Sequence, residues 1–459
     1  MKTVAPVVLR RRRLLAALFI VLFAALQTLL WLAYYGVAAK ALVGDEQGYQ
    51  ATALAILGGG PWMPSSIWPP LQPLFIAALY AVFGTHLLIV QVAQTLLFIA
   101  CAALLRDLWR RLGGSVGAAN TAAALWLLNP STAAYAQWLW PEMLHVFLLL
   151  AAFCALARNA SRVHAFAAGC GIGLAILAKS LLSVFWPAFL IAFVQRARPF
   201  VRVRPVAVFA FGLTIVTGPA LLHGWREYGK PMIADSSIYN LWVGLTDPWR
   251  SDYVADLGGV TLPAFLASGV TPQQRNAVYL DKVRALVAER GIATLLAERM
   301  SRQYFRLFSA KTPLLSQLPG TACAGYLSVY RTQPWLQSTL AAASSAFHAL
   351  MLVAAAFGIA CWRRRPDRML VIVALFICYQ LALFALIHVK ARFLLPMIPF
   401  LCGFGGSFLV ALRARAAGCE CDDSTQALAP SRLAWGALLA VLLLFLAFAG
   451  PALDHLCTG

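Results

Sequence analysis

The sequence predicts an all-α polytopic membrane protein with about 11 transmembrane helices and further juxtamembrane helices along its outer face. Three observations lead there. Hydrophobic residues make up 61% of the 459 and charged residues 12%, against about 45–50% and about 25% in a soluble domain. Mean hydropathy is +0.76. The basic residues behind a net charge of +20 fall in short clusters between apolar runs, as the flanks of membrane helices do. They do not share one accessible face, as a nucleic-acid site requires, so nucleic acid is not an expected partner.

The first span follows a basic start, Arg10 to Arg13, and runs over 14–35. Val37-Ala38-Ala39 could pass for a signal-cleavage site, but the run is longer than the ~7–15 residues of a signal h-region. It reads as a retained span with a cytoplasmic N-terminus. Arginine and lysine concentrate in cytoplasmic loops, which orients the rest. The second span, 86–105, returns to Arg106, Arg110 and Arg111. The third, 116–134, goes out, and the fourth, 143–157, comes back to Arg158 and Arg162. The fifth, 163–178, and the sixth, 181–194, close on Arg196, Arg198, Arg202 and Arg204, and the seventh, 206–222, goes out. Spans eight to eleven, 339–360, 369–387, 393–411 and 433–448, alternate around Arg363, Arg364, Arg365 and Arg368 and then Arg413 and Arg415.

Three regions result: an N-terminal transmembrane module, 1–222, with its first outer loop at 37–84; a large extracytoplasmic loop region, 223–338; and a C-terminal transmembrane module, 339–459. Residues 71–83 are placed as a helix on the outer surface, because a full span there would turn every later basic cluster outward. In the large loop, 275–290 and 292–307 read as amphipathic helices. Leu295, Leu296, Met300 and Tyr304 recur at helical spacing, with Arg299, Arg302 and Arg306 between them. Such helices pack on their own domain or rest on the membrane interface. Cys101, Cys154, Cys170, Cys378 and Cys402 lie in apolar runs and act as small hydrophobes. A disulfide between Cys323 and Cys457, placed outside the membrane, stays open. Cys419 and Cys421 form a C-x-C without the second ligand pair a structural zinc needs.

The chemistry gathers at the outer turns. The segment 44–84 opens with Asp45 and Glu46 in an acid-poor chain, continues with Tyr49, and is broken by Gly58 to Gly60 and by Pro61, Pro64, Pro69, Pro70 and Pro73. Glu142 follows Pro141 at the outer start of the fourth span, where a carboxylate is stabilised near a helix N-terminus. Lys179 sits in the outer turn between the fifth and sixth spans; His388, Lys390 and Arg392 crowd the turn between the ninth and tenth. Carboxylates beside lysine and arginine at a lipid boundary suit a phosphate-bearing lipid. Arginine grips phosphate bidentately, lysine supplies a point charge, and a carboxylate can take a proton from an attacking hydroxyl. Taken singly, each basic residue also fits an interfacial anchor, Glu142 a helix-end cap, and the acidic pair a solvated loop. The spans carry almost no buried charge, which disfavours the alternative of a lipid or polysaccharide transporter or flippase working without bond cleavage. Walker, Rossmann and HExxH patterns are absent.

Six stretches, in order, resemble the GT-C class of polytopic glycosyltransferases, in the branch of protein O-mannosyltransferases and aminoarabinose (lipid A) transferases. GDEQGYQATALAI at 44–56 is similar to the acidic first-loop motif, and WPPLQPLFIAALYAVFG at 68–84 to the proline-rich segment after it. NPSTAAYAQWLWPEMLHVFLLLAAF at 129–153 and GIGLAILAKSLLSVFWP at 171–187 resemble the next two outer turns. SSIYNLWVGLTDP at 236–248 resembles the opening of the large outer loop, and HVKARFLLPMIP at 388–399 the C-terminal arginine motif. The resemblance implies a GT-C-like fold and transfer of a monosaccharide from a polyprenyl-phosphate carrier to a lipid, glycan or protein acceptor. The expected setting is the extracytoplasmic face of a bacterial inner (plasma) membrane. It implies Asp45 as the catalytic carboxylate with Glu46 beside it, and Lys179 and Arg392 against the carrier phosphate. His388, Lys390, Glu142, Tyr49 and Asn240 complete the substrate side. The pattern departs at Trp68 and Gln72, where the family commonly carries histidine before the prolines and tyrosine after them. No cofactor is expected to be required and no metal site is assigned. A divalent cation remains the alternative, although Asp45-Glu46 lacks a second nearby acid.

Overall fold

A backbone in hydrocarbon has only its own groups to bond, so helices are the solution open to these apolar runs. The computed structural model describes residues 4–35, 40, 42, 45–63, 66–158, 161–194, 202–246, 262–309, 334–362, 367–418 and 428–454, and every regular element in them is helical. The order is α1 (Val4–Tyr35), α2 (Asp45–Leu57), α3 (Leu71–Phe83), α4 (Leu87–Arg111), α5 (Val116–Leu127), α6 (Pro130–Tyr135), α7 (Glu142–Arg158) and α8 (Arg162–Ala178). Two 3-10 segments, Ser180–Ser183 and Trp186–Phe193, lead to α9 (Val203–Tyr228). Then come α10 (Ser237–Thr246), α11 (Leu262–Ala267), α12 (Pro272–Arg290), α13 (Ile292–Arg302) and the 3-10 turn Tyr304–Phe308. The chain closes with α14 (Pro334–Ala360), α15 (Arg368–Leu386), the 3-10 turn Ala391–Leu394, α16 (Ile398–Ala416) and α17 (Pro430–Asp454).

Among the described residues, seven helices are long and apolar enough to cross a membrane: α4, α9, α14, α15, α16, Leu14–Tyr35 of α1 and Pro430–Ala449 of α17. They coincide with the first, second and seventh to eleventh expected spans. The other four are shorter or broken, for local reasons. The third divides at Asn129, whose side chain caps the new helix that starts at Pro130. The fourth and fifth, α7 and α8, have 17 residues each and rise about 25 Å. The sixth is the pair of 3-10 segments, with Pro187 in the first turn of the second. Helices α8 and α9 run parallel: Gly169 faces Phe209 and Gly173 faces Val216, so the 3-10 pair between them returns the chain to its starting side. The two backbones touch; a Cβ on Gly212 would lie 2.6 Å from Phe166 O, which is how small residues let membrane helices approach.

Residues 71–83 form a helix, as expected, and α3 packs on α2, α4 and α8. The face of α13 differs from the periodicity reading. Leu295 and Tyr304 are buried, but Met300 is 46% exposed and Arg299 is buried. Arg299 Nε donates to Ala385 O at 2.8 Å and Nη2 to Phe384 O at 3.1 Å. These are last-turn carbonyls of α15, which have no partner inside their own helix. Periodicity assigns arginine to the wet face, whereas the end of a neighbouring helix draws it inside. The basic clusters at 196–198 and 363–365 lie outside the described residues, as do Cys323, Cys419, Cys421 and Cys457.

Candidate active site

Asp45 and Glu46 form the first turn of α2, where negative charge is favoured. Neighbouring helical residues project about 100° apart, and the two carboxylates serve different environments. Asp45 lines a cavity of about 420 Å³. Glu46, expected beside Asp45 in the catalytic role, does not line it. Its side chain and that of Lys40 are both 0% exposed and paired at 2.5 Å. The same Glu46 Oε1 accepts the Leu139 N–H at 3.0 Å.

That bond belongs to a web around residues 137–139. Gln91 Nε2 donates to Gln137 O at 2.9 Å, Gln94 to Trp138 O, and Gln72 Nε2 to Leu139 O at 2.9 Å. Trp138 Nε1 donates to Tyr34 Oη at 3.0 Å. The web holds the chain just before Trp140, Pro141 and Glu142. The departure at Gln72 is therefore structural, and Trp68 is the one that reaches the cavity, its ring 5.7 Å from that of Tyr49. Glu46→Ala leaves the Lys40 ammonium buried and unpaired, an error that costs about 3–5 kcal/mol. The expected result is a protein that unfolds at markedly lower temperature or denaturant in detergent; an unfolding midpoint equal to that of the parent would count against the web.

Four ionic side chains close the cavity floor. Arg392, on the 3-10 turn Ala391–Leu394, donates through Nη2 to Asp45 Oδ2 at 2.6 Å. Its Nε lies 3.5 Å from Glu142 Oε1. Lys179, the extended residue between α8 and the first 3-10 segment, donates to that same Glu142 oxygen at 3.0 Å. Aromatic faces hold the cations: Arg392 lies 4.3 Å from the centroid of Trp140 and Lys179 4.8 Å from that of Phe393. Glu142 is 2% exposed, Arg392 13% and Asp45 28%, so Asp45 is the member most open to an incoming molecule. Glu142 Oε2 is buried and has no protein partner.

Tyr49, Asn240 and His388 line the same cavity. Helix α10 approaches the end of α15 closely enough that a Cβ on Gly244 would lie 2.6 Å from Leu386 O. Beside this contact the His388 N–H bonds Asn240 O at 3.0 Å. Seven of the nine expected site residues therefore share one cavity: Asp45, Tyr49, Glu142, Lys179, Asn240, His388 and Arg392. Lys390 is buried, does not line it, and acts through its charge on Asp45. Sequence reasoning passed over Trp140, Lys40 and His145, each inside or beside a stretch noted for another residue.

Burial works against every charge here, and pairing decides the outcome. It pulls the Asp45 carboxyl upward, but Arg392, Lys390 and Lys179 together hold it below the ordinary carboxylate value. Glu142 behaves alike: burial raises it, and Lys179, Arg392 and the N-terminus of α7 bring it below. Burial, then the charges of Lys390 and Arg392, push His388 well below the usual imidazole value, so the ring is neutral at pH 7. Burial, Asp45 and Glu142 keep Tyr49 a phenol and a donor. Lys179 lies below the ordinary lysine value, because burial outweighs what Glu142 restores. Affinity that depends on its ammonium is therefore lost on the alkaline side before pH reaches the ordinary lysine range. Lys179→Arg, which keeps its proton, should move the alkaline limb of anion binding to higher pH; a pH–affinity titration with the limb unmoved would exclude Lys179 as its source.

Among the described residues, no three His, Cys, Asp or Glu side chains gather as metal ligands would. No family model matches the chain, and no curated protein matches it. Solved structures to which it is similar include ArnT from Cupriavidus metallidurans bound to undecaprenyl phosphate, at 16% identity over 88% of this chain and 79% of that one, with a TM-score of 0.39. The apo state of the same protein gives 16% identity, 88% and 80% coverage and a TM-score of 0.40. The Archaeoglobus fulgidus oligosaccharyltransferase tethered with an acceptor peptide gives 12% identity, 95% and 55% coverage and a TM-score of 0.47.

Proposed function

We propose that the chain is an integral-membrane glycosyltransferase of the GT-C type. It moves a monosaccharide from a polyprenyl-phosphate carrier to a lipid, glycan or protein acceptor at the extracytoplasmic face of a bacterial plasma membrane. One observation carries the reading: two carboxylates and two cations, Asp45, Arg392, Glu142 and Lys179, close the floor of a cavity where apolar helices end. In the reaction, the acceptor oxygen bonds the anomeric carbon as that carbon's bond to the carrier phosphate oxygen breaks. The electron pair leaves on the phosphate, and direct displacement inverts the configuration.

Arg392 and Lys179 are the phosphate ligands. Each is held in advance by a carboxylate, so an arriving phosphate competes with Asp45 and Glu142 for them. Arg392 holds the Asp45 proton affinity down. A phosphate that draws Arg392 away raises that affinity, and Asp45 becomes a stronger base once the donor is seated. A hydroxyl acceptor then loses its proton to Asp45; a phosphate acceptor has none to lose and is only oriented by it. We assign no cofactor, since the two carboxylates that could take a divalent cation are engaged by cations of the protein itself. Activity lost to a chelator and regained with metal would reverse that assignment. The test of function is incubation of purified protein with labelled polyprenyl-phosphate sugar and acceptor. Release of free carrier phosphate is expected; vectorial movement of intact lipid without bond cleavage would replace the enzyme with a transporter.

A further inference from the structure

We infer that His145 is a positioning residue that keeps Lys179 in place while its side chain exchanges Glu142 for the donor's phosphate; the inference rests on the function proposed above. His145 lies one turn after Glu142 on α7, on the same side of the helix, and is 0% exposed. Its Nδ1 is 2.9 Å from Ala175 O, in the last turn of α8. That same carbonyl accepts the Lys179 N–H at 2.9 Å. A carbonyl can only accept, so Nδ1 carries the proton. Nε2 is buried without a protein partner, which leaves the Nδ1 bond as the ring's one polar contact.

Two ties therefore join the start of α7 to the end of α8, and they differ in kind. The side-chain tie, Lys179 to Glu142 at 3.0 Å, is the one an arriving phosphate competes with for the ammonium. The backbone tie, His145 to Ala175, is indifferent to that exchange. Without it, once Glu142 is released, the turn that carries Lys179 keeps the packing of α8 and the Phe393 face but no side-chain hydrogen bond from α7. With it, the peptide carrying Lys179 stays where it was, and the ammonium swings between two anions about a fixed base.

Asparagine reproduces the Nδ1 side of histidine and glutamine the Nε2 side, so the two substitutions separate the tie from mere polarity. His145→Asn should leave the donor KM within about twofold of the parent. His145→Gln should raise it roughly tenfold with kcat nearly unchanged, a factor equivalent to ~1.4 kcal/mol. In a Lys179→Ala background the same Gln substitution should change KM less than about twofold, because the group it positions is gone. A tenfold loss in His145→Asn, equal effects of Asn and Gln, or a full Gln effect without Lys179 would each overturn the inference. If the parent protein releases no carrier from any polyprenyl-phosphate sugar, it is the functional reading that fails. The inference is then decided by the pH profile of amine acylation at Lys179, read by mass spectrometry. His145→Gln should move its midpoint and His145→Asn should not; one midpoint for all three proteins would overturn it.

Discussion

Asp45→Asn is expected to lower kcat/KM for carrier release by roughly 10³-fold while the protein folds and elutes as the parent does. The amide oxygen can still accept from Arg392, whose Nη2 is 2.6 Å from the present carboxylate. Arg392 also keeps Glu142 at 3.5 Å and the Trp140 ring at 4.3 Å, so removing the charge leaves no buried cation alone. What disappears is the more exposed of the two carboxylates that line the cavity, Asp45 at 28% against Glu142 at 2%. Turnover within tenfold of the parent would remove Asp45 from the chemistry. The neighbouring substitution, Glu46→Ala, should do the opposite by disturbing the fold first. Adjacent acids with opposite mutational signatures follow from one helical rotation.

The second large effect is expected at Arg392. On the proposed function, Arg392→Ala should weaken donor binding by up to roughly 10²-fold, since a charge-assisted phosphate ligand is worth about 1.5–3 kcal/mol. It also leaves Asp45 and Glu142 without the cation that bridges them. Arg392 is the main influence holding the Asp45 carboxyl down against burial. In its absence that carboxyl rises, and the acid limb of the pH–rate profile moves to higher pH. The stability that the two depressed carboxyls contribute is present above their unfolded values and is lost as pH falls through the folded ones. The alanine variant should therefore also be less resistant to neutral conditions than the parent, and the difference should narrow in acid. Arg392→Lys keeps the charge but loses the planar fork, and an intermediate loss of about tenfold is expected. Equal donor affinity in all three proteins, measured by titration with a carrier phosphate, would take Arg392 out of the site.

Much of this arrangement could be read before any coordinates, because alternation of basic clusters places outer turns together. Glu142, Lys179 and Arg392 are far apart in sequence, yet each reads as following or preceding a span at the same face, and the structure joins them in ion pairs. The limits of the reading are geometric. Nothing in the dipeptide Asp45-Glu46 says which carboxylate turns to the cavity; that depends on α2 starting at Asp45 and on where Lys40 lies. Arg299 looked solvated because its own helix is amphipathic, whereas its partners are carbonyls of α15, 85 and 86 residues away. His145 sits in an apolar run as any core histidine would. Its meaning depends on which carbonyl of another helix it meets.

The unequal lengths of α8 and α9 place the floor of the site at a particular depth. Gly173 faces Val216 across their parallel contact, which sets Ala178 level with Leu221, while α9 continues to Tyr228. Lys179 thus lies about 10 Å below the end of its neighbour, a distance comparable to the screening length of physiological salt. The charges at the bottom are paired and largely buried, so salt screens them less than it screens charges at the rim. On the proposed function, ionic strength should therefore tune the approach of an acceptor more than the grip on the carrier.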